Sequence, residues 1–98
     1  MSIINNQNKS LVGRWEQVVP REENKKIIME FFEGDLLIYE IHLQNQIAKM
    51  KLTYRIEDNK IISDQPSSPR EEITNFRLEN NKLELEINNK FYKYRRIN

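Results

Sequence analysis

One histidine, His42, and no cysteine occur among the 98 residues. Those two counts remove disulfides, thiolate zinc centres and cysteine nucleophiles together. His42 has no Ser or Asp partner at a recognisable spacing, so it completes neither a metal set nor a triad. It reads as an exposed structural side chain. Glu22-Glu23 and Glu71-Glu72 are the paired carboxylates that acid–base catalysis would use. Each pair follows an arginine, Arg21 or Arg70, beside a loop, and reads as a solvated, charge-paired strand end. Gly13 and Gly34 are the only glycines, too few for a phosphate-cradling loop. Lys90, Lys93, Arg95 and Arg96, interleaved with Phe91, Tyr92 and Tyr94, carry the residue types that stack and neutralise single-stranded nucleic acid. Alternation, however, sends most of the cations and aromatics to different faces. With 16 Lys+Arg against 15 Asp+Glu, the net charge of +1 also offers no field for a polyanion. The expectation is therefore a protein without a catalytic set, metal ligands, cofactor or nucleic-acid partner.

The elements that would position these residues are strands. Apolar content is 38%, enough for one core and not for two, so residues 1–98 read as a single domain. Period-2 alternation dominates the chain. It predicts eight strands: Val12 to Val19, Lys26 to Phe32, Asp35 to Leu43, Gln46 to Ile56, Lys60 to Ser63, Glu72 to Leu78, Lys82 to Ile87 and Lys90 to Ile97. The fourth is the cleanest. Ala48, Met50, Leu52, Tyr54 and Ile56 share one face, and Lys49, Lys51, Thr53 and Arg55 the other. Turn residues that tolerate a left-handed backbone fall where alternation breaks: Asn24, Gly34, Asn45, Asn59, Asn81 and Asn88-Asn89. The one long connection, Asp64 to Pro69, holds two of the three prolines and reads as a flexible loop. Tyr54 to Ile61 repeats as Phe76 to Leu83. Strand end, tight turn and return strand explain every position of that repeat, with Asn59 and Asn81 at the strained place.

Eight strands joined in sequence by short hairpins make an antiparallel up-and-down meander, and closing it into a small barrel removes both exposed edges. The polar lead-in, residues 1–10, lacks the features of a secretory signal, and no apolar run approaches the ~18 residues of a spanning helix. A cytoplasmic protein with no membrane insertion is expected. A short helical turn near Asn8 to Leu11 would plug one end.

Gly13-Arg14-Trp15, at the start of the first strand after a short polar lead-in, resembles the G-x-W motif of the lipocalins and their calycin relatives. The last strand, Phe91 to Ile97, resembles the closing strand that carries an arginine in that family. The segments Ile28 to Leu37 and Tyr54 to Ile62 also look like short bacterial lipocalin-like domains. The resemblance implies a lipocalin-like barrel whose closing-strand arginine packs across the tryptophan at the closed end. Arg95 and Arg96 are the candidates, and parity with Tyr92 and Tyr94 favours Arg96. Gly13, Trp15 and Arg96 would then form a structural latch, with a cation–π contact of ~0.5–2 kcal/mol.

The interior side chains are bulky enough to fill most of a short eight-stranded lumen, and any cavity left among them is the expected place for a ligand. Gln17, Met29, Phe31, Tyr39, Met50, Tyr54, Phe76, Tyr92 and Tyr94 are the luminal candidates. They give mostly apolar walls with hydroxyls and one amide to orient a small apolar or amphipathic molecule. A second expectation rests on the opposite-face apolars Ile28, Phe32, Ile38, Ile47 and Ile62. As one outer patch they would make the chain a protein-interaction or structural module, a homodimer in the simplest case.

Overall fold

A computed structural model describes residues 11–66 and 70–97. The eight strands are β1 Gly13–Val19, β2 Lys26–Phe31, β3 Leu36–His42, β4 Ile47–Glu57, β5 Lys60–Asp64, β6 Glu72–Glu79, β7 Lys82–Ile87 and β8 Lys90–Arg96. Each pairs with the next, antiparallel, and β1 pairs with β8, so the meander closes into a barrel. Strand ends differ from the sequence expectation by one residue at most. The lead-in, residues 1–10, lies outside the described residues, and with it most of the helical turn expected near Asn8 to Leu11. Residues 67–69 of the long connection lie outside them too.

Turn chemistry explains the hairpins. Asn24, Asn88 and Asn89 have positive φ, as does Gly34. In the repeated hairpins the strain is shifted. Positive φ falls on Asp58 (55°) and Asn80 (56°), one residue before the expected Asn59 and Asn81. Each is the first of two loop residues, and Asp tolerates this backbone much as Asn does. Asn45 needs no such conformation. The repeat is otherwise in matching register, with Ile56 opposite Ile61 and Leu78 opposite Leu83.

β1 runs from a closed end to an open end. At the closed end the turn carbonyls reach onward. Asp35 O accepts from Tyr54 N at 2.9 Å, Asn59 O from Phe76 N at 2.9 Å and Asn81 O from Arg96 N at 3.0 Å. Three turns are thereby tied to the strand beyond, satisfying backbone groups that a barrel rim would otherwise leave to water. Trp15 has no solvent exposure. Its indole N–H donates to Leu11 O at 2.9 Å, and Leu11 is also fully buried. Arg96 stands opposite Trp15 across the β1–β8 seam, with its Cζ 4.3 Å from the ring centroid. The guanidinium also donates to Val12 O at 2.9 Å. Gly13 opens β1 at φ 137°, a conformation that side-chain-bearing residues rarely adopt.

The closed half is packed solid. Leu11, Trp15, Phe31, Leu37, Tyr54, Ile61, Phe76, Leu83, Leu85 and Tyr94 form one buried cluster. The expected outer patch is not continuous. Ile28 and Ile62, on the outer face, are buried within the protomer, while Phe32 and Ile47 are exposed. Ile28 lies between Glu16 and Glu40 in the cross-strand row, so polar side chains flank it on both sides.

Candidate ligand cavity at the open end

Interior positions follow from register. Trp15, Met29, Tyr39 and Met50 form one inward row, and Leu37 and Leu52 pair within the next. Towards the open end the lumen is not filled. A cavity of ≈ 400 Å³ opens there. β3 and β4 contribute Tyr39, Met50 and Leu52. β5 and β6 contribute Ser63 and Glu72, which pair in register, and the connection between them adds Gln65 and Arg70. The volume lies within the range of small-molecule sites, and the lining is mixed: Tyr39, Met50 and Leu52 on one side face the polar Ser63, Gln65, Arg70 and Glu72.

The luminal candidates separate by depth. Tyr39 and Met50 line the cavity. Phe31, Tyr54 and Phe76 sit in the sealed closed half. Phe31 and Tyr54 meet edge to face, with centroids 5.1 Å apart at 81°, and Tyr54 Oη donates to Phe32 O at 2.8 Å. Met29 and Tyr92 are partly buried against that core. Tyr94 Oη donates to Gln17 Oε1 at 3.1 Å, and Gln17 Nε2 donates to Pro20 O at 3.0 Å. Gln17 thereby spans from the interior to the β1–β2 turn, where it helps line a second, charge-rimmed hollow of ≈ 390 Å³.

Tyrosine phenols gather in the low-polarity interior. Burial pushes Tyr94 well above the ordinary phenol range, and Tyr39 and Tyr92 add to the shift. Burial likewise raises Tyr39, with Tyr92 as the second cause. These effects place Tyr39, Tyr92 and Tyr94 in one electrostatic neighbourhood. Tyr94 keeps its proton and donates it to Gln17 Oε1.

Sequence reading missed Ser63, Gln65, Arg70 and Glu72. A signal existed for two of them. Counting back from Phe76 by twos reaches Thr74 and Glu72, and continuing from Ile61 reaches Ser63. Gln65 and Arg70 lie in a connection, where alternation says nothing.

The remaining candidate chemistry lies on the outer wall. His42 Nε2 is 2.7 Å from Glu40 Oε1, and Arg14 bridges Glu30 at 2.9 Å and Glu40 at 3.4 Å. The Glu40 side chain is only 6% exposed. The His42 hydrogen bond lowers its pKa most. Burial opposes this, and Arg14 and Lys49 add to the lowering. The paired glutamates do not use the neighbouring arginines. Glu22 pairs with Lys25 at 3.8 Å, and Glu71 with Arg55 at 3.1 Å. Both are ion pairs across a turn or between strands, reached more easily than an adjacent residue whose side chain points away. Among the described residues there is no group of three or more metal-ligating side chains.

Glu40 carries a pH signature. Its folded pKa lies below the ordinary carboxylate value, so its stabilisation is complete above that value and fades as pH falls through the folded pKa. Glu40→Gln lowers stability by about 1–3 kcal/mol at neutral pH. The gap between variant and wild-type thermal midpoints narrows on titration from pH ~7 to pH ~3. A gap constant across that range would remove the electrostatic role.

No known protein family, curated protein or solved structure matches this chain.

Proposed function

We propose that this protein is a non-enzymatic, lipocalin-like barrel that holds a small apolar or amphipathic molecule at the open end of its lumen. The observation that carries the reading is the ≈ 400 Å³ cavity bounded by inward-facing side chains. Met50 and Leu52 offer adaptable apolar walls. Tyr39 and Ser63 offer hydroxyls, and Arg70 and Glu72 set opposite charges at the mouth. The Trp15–Arg96 stack closes the other end and supports the lipocalin-like comparison. The alternative of a module dimerising through one outer apolar face has less support, because Ile28 and Ile62 are covered within the protomer.

Met50→Trp fills the cavity from a wall residue that lies outside the closed-half core. Native mass spectrometry of the wild type is expected to show a small-molecule adduct, or uptake of the probe 1-anilinonaphthalene-8-sulfonate. Met50→Trp is expected to weaken that uptake by about tenfold or more, equivalent to ~1.4 kcal/mol. A wild type that carries no adduct and takes up no probe overturns the reading. So does a cavity-filled variant that binds as well as the wild type.

A further inference from the structure

We propose that the barrel takes an added strand on the open edge of β4, and that the strand it admits is an extended acidic peptide in which carboxylates alternate with apolar residues. The edge follows from register. At the two ends of the β3–β4 ladder, Leu43 N donates to Gln46 O and Tyr54 N to Asp35 O. The even-numbered residues of β4 between them therefore direct their backbone groups to β3. Ile47, Lys49 and Lys51 turn theirs the other way. On that side the ladder to β5 stops at Thr53–Asp64, and among the described residues no strand is paired beyond it. Pro66 supplies the cause. Continued register would set it opposite Lys51, at a pair that needs the N–H proline lacks. Residues 47–51 are exposed at all five positions, on both faces, as no other described strand is. A row of outward N–H and C=O groups is satisfied in series by another extended backbone.

The side chains choose the occupant. Lys49 and Lys51 stand on the outer face, so the residues opposite them in an added strand meet two cations. Lys49 also reaches Glu40 at 4.0 Å, but Arg14 and His42 hold that carboxylate more closely. Arg70 lies across the gap with Glu72 beside it, which leaves the cations in excess. On the inner face stand Ala48 and Met50, and Met50 and Leu52 line the ≈ 400 Å³ cavity. Apolar side chains at the alternate positions of the added strand enter that cavity from the side. Lysines on an edge also keep wrong strands away. A second copy paired antiparallel over 47–51 would set the two Lys49 side chains directly opposite each other. The chain's own lead-in, residues 1–10, holds no acid to meet the lysines. The inference rests on the cavity being open, not on its holding a small molecule.

The experiment is amide hydrogen exchange, followed residue by residue by NMR, with and without a synthetic peptide of alternating Glu and Val. In the free protein the Lys49 and Lys51 amides are expected to exchange about tenfold or more faster than those of Ala48 and Met50. The peptide is expected to slow the first pair by about tenfold or more. A peptide with Lys in place of Glu is expected not to bind. N-methylation of the Glu residues, whose N–H groups would face β4, is expected to abolish binding, while N-methylation of the Val residues leaves it. Lys51→Glu is expected to turn the preference towards the Lys peptide. Should that variant unfold, the two N-methylated peptides still decide the matter on the wild type. Binding of both charge forms alike, or of both N-methylated forms alike, overturns the proposal. Protection of Lys49 and Lys51 in a dimer without peptide overturns it in favour of a second copy. A wild type that takes up 1-anilinonaphthalene-8-sulfonate but binds no peptide overturns this proposal alone and leaves the small-molecule reading standing.

Discussion

Trp15→Ala lowers the unfolding free energy by about 3–5 kcal/mol, the range for removing a large buried aromatic side chain. Three losses coincide. The fully buried indole leaves a cavity at the closed end. Leu11 O loses the donor that satisfied it. Arg96 keeps its bond to Val12 O but loses the aromatic face beneath it. In a domain stable by about 5–15 kcal/mol this is a large fraction. With each kcal/mol moving Tm by about 4–8 °C at this size, the midpoint falls by at least ~12 °C. Trp15→Phe is milder, because it restores most of the packing and none of the indole hydrogen bond. Arg96→Lys is expected to cost more than its charge conservation suggests, since an ammonium loses the planar stack. Thermal unfolding followed by circular dichroism measures the series. A Trp15→Ala midpoint within a few degrees of the wild type would show that the latch does not hold the barrel shut.

Phe31→Ala is expected to destabilise by a similar ~3–5 kcal/mol. Phe31 is 1% exposed, at the end of β2, and meets Tyr54 edge to face. The ring pair adds about 0.5–1.5 kcal/mol beyond area burial. Removing Phe31 also exposes the surroundings of the Tyr54 hydroxyl, whose bond to Phe32 O fixes the adjoining turn. The two sites share this contact, so Phe31→Ala and Tyr54→Ala together are expected to cost less than their sum. Chemical denaturation of both single variants and the double variant measures the coupling. Strict additivity would mean that the rings touch without cooperating.

Most of the barrel is legible in the sequence because its signals are local. Met50, Leu52, Tyr54 and Ile56 set the inward face of β4 by alternation, and Asn88-Asn89 marks a hairpin by backbone preference alone. Parity places Arg96, not Arg95, over the indole, and the structure agrees. What escapes depends on distance in the fold. Glu40 lies on the polar face of β3, and nothing along the chain reveals that Arg14 reaches over β2 to meet it. Register at the seam shifts between Gln17 and Val19, a bulge that alternation cannot announce. The cavity is legible in kind but not in position. Side-chain type says which residues turn inward, while strand stagger decides that Phe31, Tyr54 and Phe76 seal one half and Tyr39 and Met50 border the empty half.

The chain enters and leaves the barrel at one pole. Ile97 N donates to Arg14 O at 2.9 Å, and Leu11 lies beneath the same indole. Leu11 and Ile97 both lie at this sealed pole, so a short linker joining them there would allow the polypeptide to be reopened at a turn on the opposite rim.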